Sequence, residues 1–250
     1  MTDLAEEKAA WNDFAATYYD TEQQSQLPYV ADVLEFLQRI NLLPAQILDL
    51  GSGAGRFSLP FAQAGVAVTA VDFSEKMLAI LQRRVMQQKS IKPIRLITAA
   101  WQDLVKAKLR VPALWLSMLP DVDPTQMLTI SRMATKTVFI FRLNQVDDPV
   151  MTPLFTKLNL PQERPEVHPD LMAAYQMILQ SEFNESQTKY FNYQINEELS
   201  QTELTTYLQD YPEMALEKLT WLQHELQPEL KNGRLKSRLN YQFELLILQR

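Results

Sequence analysis

One stretch restricts the fold more than any other: Ile47-Leu48-Asp49-Leu50-Gly51-Ser52-Gly53-Ala54-Gly55-Arg56, closed by Ala70-Val71-Asp72. It reads as an apolar strand, a glycine turn, a helix, and a second apolar strand ending in a carboxylate. Gly51 and Gly53 have no Cβ, so they can take positive φ and leave room beside the chain for a ligand. Asp72 falls about 20 residues after the turn, where an acid ending the second strand can accept hydrogen bonds from ribose hydroxyls. This order of elements predicts a site for a nucleoside-bearing cofactor. The competing explanation is an ordinary strand-to-helix turn that holds nothing.

The 250 residues suffice for one large α/β domain with an appendage. With 46% hydrophobic and 22% charged residues the composition is that of an ordinary globule. No apolar run nears the roughly 18 residues that a membrane span needs. Asp3, Glu6 and Glu7 stand where a signal peptide would carry positive charge, so a cytoplasmic location is expected. The absence of Cys excludes disulfides, thiolate zinc sites and a cysteine nucleophile. A formal charge of -6 opposes nucleic-acid binding, and the basic cluster Lys231, Arg234, Lys236 and Arg238 reads as a solvated strand edge. His168 and His224 have no neighbouring ligand spacing, so no metal site is expected.

Strand and helix signals alternate along the chain. Trp11, Phe14 and Tyr18, then Val30, Val33, Leu34 and Leu37, mark two amphipathic helices ahead of a strand at Gln46–Leu50. Further strands are expected at Val66–Val71, Ile94–Thr98, Ala113–Leu119 and Thr137–Phe141, with helices between, which implies a parallel sheet. Prolines at 149, 153, 161, 165 and 169 interrupt regular structure, and Leu171, Met172, Tyr175 and Ile178 suggest a helix beyond them. Thr188–Ile195 can form a strand. Ser200-Gln201-Thr202-Glu203 is a capping-box signature for a helix bearing Leu204, Tyr207 and Leu208, and a longer helix follows Pro212. In the last strand Leu239, Tyr241, Phe243 and Leu245 alternate with Asn240, Gln242 and Glu244, the mark of an edge or antiparallel strand.

Asp49-Leu50-Gly51-Ser52-Gly53-Ala54-Gly55 with Asp72 resembles the first motif of class I S-adenosylmethionine-dependent methyltransferases, an acid, one residue, G-x-G-x-G, then an acid closing the next strand. A dinucleotide fingerprint would instead want glycine at Arg56. The element order also fits that family: an α/β fold with a seven-stranded, mostly parallel sheet whose last strand is antiparallel, helices on both faces, N-terminal helices, and an insertion after strand five. The expected division is 1–44 as an N-terminal helical cap, 45–144 and 188–250 as the Rossmann-like core, and 145–187 as an insertion serving as a substrate lid.

The resemblance implies S-adenosylmethionine as cofactor and methyl transfer to an unidentified small-molecule acceptor. Gly51, Ser52, Gly53 and Asp49 would meet the methionine end, with Asp49 also able to cap local N–H groups. Asp72 would hold the ribose. Phe73 would cover the adenine or pack in the core. The family's usual acid after strand three is replaced here by Ala100, which leaves adenine to Trp101 and Gln102, or to Asp103 in a shifted register. Ser117 ends strand four beside the transferable methyl, and Met118 beside it serves equally as core. Arg56 reads as a structural charge or a contact to the cofactor carboxylate. The Asn/Asp-Pro-Pro-Tyr/Phe tetrapeptide is missing at Leu116-Ser117-Met118-Leu119-Pro120, which argues against adenine and glutamine acceptors.

No catalytic residue is assigned. Tyr18, Tyr19, Asp121 and His168 are the candidates for a proton acceptor. The alternative functions are a non-catalytic nucleoside-binding or interaction domain on the same fold, and an NAD-dependent dehydrogenase. The oligomeric state is not readable.

Overall fold

The computed structural model describes residues 4–119, 122–157, 159, 167, 169–200, 202, 203, 206, 216–227 and 230–250. The elements run α1 (Leu4–Gln24), α2 (Tyr29–Arg39), β1 (Gln46–Leu50), α3 (Ser58–Gln63), β2 (Ala67–Asp72), α4 (Glu75–Met86), β3 (Ile94–Thr98), α5 (Trp101–Lys106), β4 (Val111–Ser117), α6 (Pro124–Ser131), β5 (Ala134–Asp147), α7 (Met151–Lys157), α8 (Pro169–Leu179), β6 (Glu185–Ser200), α9 (Leu216–Leu226), β7 (Leu230–Lys231) and β8 (Arg234–Gln249). The helix expected at Leu204, Tyr207 and Leu208 lies outside the described residues.

The sheet order is β3-β2-β1-β4-β5-β8-β6, with β7 paired to β8. Strands β1 to β5 are parallel, and the hairpin β7-β8 is antiparallel. This is the mostly parallel architecture expected from the sequence, with one addition. Asn232 and Gly233, both at positive φ, turn the chain so tightly that Leu230–Lys231 forms an eighth, two-residue strand.

Two compact units are present: Met1–Arg142, Pro169–Phe191 and Phe243–Arg250 form the first, and Leu143–His168 and Asn192–Gln242 the second. These bounds differ from the sequence division at 44, 144 and 187. α8 shows the physical reason, because Met172, Tyr175 and Leu179 are buried in the same apolar cluster as Leu114, Ile140 and Leu246. Tyr175 satisfies its buried hydroxyl by donating to Val122 O at 2.6 Å. α8 is therefore part of the core layer.

In the first unit, the apolar strands are covered on both faces, as a parallel sheet requires. One face carries the cluster around Leu48, Leu50, Leu114, Leu116, Val138 and Ile140. On the other, Trp115 lies among Phe57, Phe61, Phe139 and Phe141, with ring centroids 4.7 to 6.2 Å apart. In the second unit, Asp148 Oδ1 caps α7 by accepting from Val150 N and Met151 N, both at 3.0 Å, and from Ser237 Oγ at 2.7 Å. The Ser200–Glu203 capping box forms there as well, with Ser200 N donating to Glu203 Oε2 at 2.7 Å and Glu203 N to Ser200 Oγ at 3.2 Å.

Candidate functional site

The carboxyl ends of β1, β2 and β4 meet at the glycine turn. Gly51 and Ser52 both donate their N–H to Val71 O, at 2.8 and 3.0 Å, which folds the turn back over the end of β2. Gly51 and Gly53 take φ of +70 and +53, values that disfavour any side chain with a Cβ. Gly53 N donates to Asp72 Oδ2 at 2.9 Å, and Ser74 N donates to Asp72 Oδ1 at 2.8 Å. Asp72 thus points at the turn and clamps it.

Burial raises the Asp72 carboxyl above its ordinary range, opposed by hydrogen bonds from the amides of Ser74, Gly53 and Phe73. Asp49 is more extreme. It is 1% exposed, Ser58 Oγ donates to its Oδ2 at 2.6 Å, and Oδ1 is buried with no hydrogen-bond partner among the described residues. Burial pushes its pKa up to about 7, with the Ser58 bond opposing and the neighbouring Asp72 charge adding. Ser52 Oγ is likewise buried without a partner. Two unsatisfied polar atoms beside one turn call for a polar ligand or water.

The N-terminal helix closes over this turn. Tyr18 Cε1 lies 3.8 Å from where a Cβ on Gly53 would stand. Asn12 Oδ1 accepts from Ser74 Oγ at 2.7 Å and from Lys76 N at 3.2 Å, fastening α1 to the start of α4. Glu22 stands between two arginines, 3.2 Å from Arg56 Nε and 3.2 Å from Arg84 Nη1. Arg84 also donates to Ala54 O at 2.7 Å, reaching the glycine turn itself. Arg56 lies 5.3 and 5.8 Å from the ring centroids of Tyr18 and Tyr29 and donates to the Tyr29 hydroxyl. Arg56 is therefore engaged by Glu22, Tyr18 and Tyr29.

Gly51 is occupied differently. A Cβ there would meet Leu119 Cδ2 at 2.1 Å, so the loop after β4 fills the space beside this glycine. Arg142, buried in β5, donates from Nη1 to Leu119 O and holds that loop. Met118 adopts φ of +49 on the way, which turns Leu119 toward Gly51. The open approach is at Gly53 rather than at Gly51.

The remaining expected residues divide by element. Phe73 follows Asp72 and is half-buried, and Ser117 is half-buried at the end of β4. Trp101 packs against the large apolar cluster, whereas Gln102 Oε1 is buried without a partner. Asp103 Oδ2 accepts from Ala100 N at 3.3 Å and so belongs to the start of α5. Tyr19 lies under Arg84, and His224 is exposed in α9. Asp121 and His168 lie outside the described residues. The sequence did not single out Glu22, Arg84, Leu119 or Arg142. A buried arginine inside an apolar strand, Phe141-Arg142-Leu143, was the one signal that could have pointed to the last.

Among the described residues no helix is long and apolar enough to cross a membrane, and no group of three acidic or histidine side chains could hold a metal ion. Residues 47–136 match the family model described as a methyltransferase domain. No curated protein matches the sequence. Among solved structures, magnesium protoporphyrin IX methyltransferase from Synechocystis PCC 6803, crystallised with bound SAH, aligns with a TM-score of 0.55 at 16% identity, over 97% of this chain and 99% of that one. The same enzyme with bound SAM aligns at 0.52. A protein of Nostoc punctiforme PCC 73102, provisionally described as an O-methyltransferase, aligns at 0.52 with 12% identity, over 96% of this chain and 60% of that one. Residues 47–136 are thus similar to a methyltransferase domain, and the chain shares the class I, Rossmann-like fold of these structures.

Proposed function

We propose that this methyltransferase takes S-adenosylmethionine as its methyl donor and a small molecule as acceptor, in the cytoplasm, and holds the donor on Asp49, Gly51, Ser52, Gly53, Asp72, Phe73, Trp101, Gln102 and Ser117. The observation that carries the reading is the unpartnered Asp49 Oδ1, a buried acceptor beside a glycine turn that Asp72 clamps from the next strand. An isolated carboxylate in that position is costly unless a cation or donor completes it, and the donor's ammonium group is such a partner. Ser52 Oγ and the backbone at Gly53 offer further polar contacts on the same side.

Asp72 has two oxygens occupied by amides, and its remaining lone pairs suit ribose hydroxyls. Gln102 Oε1, unpartnered, is an acceptor of the kind an adenine amino group needs, and Phe73 offers a ring beside it in sequence order after the ribose acid. When bound, the cofactor supplies a methyl group already activated on a sulfonium. The protein's contribution is alignment, exclusion of water and the placing of charge, so a dedicated acid or base is not required for every acceptor. Tyr18, whose Cε1 lies 3.8 Å from where a Cβ on Gly53 would stand, would help to exclude water from this end of the turn.

Titration calorimetry with S-adenosylmethionine and S-adenosylhomocysteine tests the reading. Micromolar binding that Asp72→Asn weakens is the expected result. No heat up to millimolar concentration with a folded protein would refute it. Binding without turnover on a broad acceptor panel would identify a non-catalytic nucleoside-binding domain instead.

A further inference from the structure

Buried polar atoms that the proposed cofactor contacts do not use gather where α1 meets the residues flanking the glycine turn, all within the first compact unit. Glu22, in the last turn of α1, has a side chain only 7% exposed and stands between Arg56, just past the glycine turn, and Arg84, near the end of α4. Its Oε1 accepts from Arg84 Nη1 at 3.2 Å. Its Oε2 lies 3.2 Å from Arg56 Nε, yet the two are not aligned, and each is buried without a hydrogen bond among the described residues. One arm of this triad is sealed by a hydrogen bond and the other is close but open. The same two arginines also grip the surroundings of the turn, since Arg84 donates to Ala54 O at 2.7 Å and Arg56 donates to the Tyr29 hydroxyl.

α1 depends on such a fastening. Its 21 residues bury one side chain, Ala15, whereas the 11 residues of α2 bury Tyr29, Val33, Phe36 and Leu37. A helix is held in place chiefly by its packed apolar face, so α1 is docked weakly by that route. Trp11, Tyr18 and Tyr19 are only partly buried against Ala54, Met77 and Ile80. Tyr18, four residues before Glu22 and so on the same face of the helix, has its ring beside Gly53. Burial raises the Tyr18 pKa, and after burial the charges that act on its hydroxyl are those of Arg56, Glu22, Asp72 and Asp49. The hydroxyl therefore lies within reach of both the triad and the two acids of the proposed donor site.

Resting on the reading of the protein as a methyltransferase, we infer that α1 is a lid over the donor and that Glu22 is the positioning residue that latches it, through Arg56 and Arg84, to the turn that holds the donor. A small approach of α1 to the turn aligns Glu22 Oε2 with Arg56 Nε and completes the triad. That alignment removes two unsatisfied buried polar atoms, which favours the closed lid. Because Arg84 holds Ala54 O and Arg56 follows the turn directly, the triad ties the seat of α1 to the shape of the turn. Donor binding and α1 docking then strengthen each other by the same factor. The consequence is kinetic: the donor leaves when the triad opens, so Glu22 sets its residence time.

Hydrogen exchange of the intact chain, read by peptide mass spectrometry with and without S-adenosylhomocysteine, tests the inference. Bound S-adenosylhomocysteine is expected to slow exchange of the α1 amides around Tyr18 and Glu22 about 10-fold and to leave those of α2 unchanged. Glu22→Gln keeps the shape and removes the charge. In that variant S-adenosylhomocysteine is expected to dissociate about 10-fold faster in stopped-flow displacement, and the ligand-dependent protection of α1 should be lost. A Glu22 that served fold stability alone would lower the unfolding midpoint and leave that protection intact, which would overturn the inference. Binding that does not slow α1 exchange in the wild type would overturn it without any variant, even if Glu22→Gln fails to fold. So would a dissociation rate in Glu22→Gln within about 2-fold of the wild type. If S-adenosylhomocysteine fails to bind the wild type, the methyltransferase reading falls, and α1 exchange in the two chains without ligand decides the latch alone. Exchange about 10-fold faster in Glu22→Gln supports the latch, and equal rates overturn it.

Discussion

Asp49→Asn separates the structural burden of the buried acid from its use. In the folded chain Asp49 keeps its proton to about pH 7, whereas in the unfolded chain it ionises near its ordinary value of 3.8. Between those values the folded state binds a proton that the unfolded state has released, so stability falls as pH rises through that window. The difference, about three pK units at about 1.4 kcal/mol each, means that Asp49 lowers stability by about 4 kcal/mol at pH 8 relative to pH 4. Asparagine cannot ionise and keeps the shape. It also keeps an oxygen for Ser58 Oγ, so the main penalty is the buried amide N–H2 that replaces the acid's hydroxyl, about 1 kcal/mol. Urea unfolding of wild type and variant at pH 5, 6, 7 and 8, followed by tryptophan fluorescence, should show the variant gaining on the wild type with each step and exceeding it at pH 8 by about 2 to 3 kcal/mol. The same substitution should weaken S-adenosylhomocysteine binding by about 10- to 100-fold, because the charge that completes the ammonium site is gone. A stability difference that does not change with pH, or one that shifts against the variant as pH rises, would refute the argument.

Three further outcomes follow from the same geometry. Binding of a cofactor ammonium to Asp49 Oδ1 should release a proton at pH 6 but not at pH 8.5, and calorimetry in buffers of different ionisation enthalpy would detect it; no buffer dependence at pH 6 would contradict the coupling. Gly51→Ala places a Cβ 2.1 Å from Leu119 Cδ2 at a φ of +70, so thermal unfolding should show a loss of about 1 to 3 kcal/mol. Adding Leu119→Ala should make the pair less than additive. Glu22→Ala removes the carboxylate shared by Arg56 and Arg84, with an expected loss of about 3 to 5 kcal/mol in urea unfolding and faster amide exchange along α1. An unchanged midpoint would show that the two arginines are held by Tyr29 and Ala54 alone.

The β-strand and helix order through β5 was legible because each element has its own local signature: apolar strand, turn residues, apolar stripe. The position of Asp72 was legible for the same reason, since a strand of six residues paired in parallel with β1 leaves its last residue beside the first turn. What local pattern cannot show is which distant side chain fills the space a glycine leaves. Leu119 is 68 positions from Gly51 in the sequence, and only the parallel pairing of β1 with β4 brings its loop there. Arg56 was ambiguous because its partners, Glu22 and Tyr29, come from two helices whose docking the sequence does not encode at short range.

β8 shows the opposite failure, a pattern that was legible and misleading. The alternation of Leu239, Tyr241, Phe243 and Leu245 against Asn240, Gln242 and Glu244 predicts one wet face throughout. The two amides do lie on partly exposed rows, bonded to Asn192 and Gln194 of the neighbouring strand. From Phe243 onward every residue to Leu248 is buried, so the same strand passes from an edge-like environment into one covered on both faces. Glu244 is the first polar residue past that change, and the periodicity gives no warning because the apolar run that would reveal it, Leu245-Leu246-Ile247-Leu248, begins one residue later.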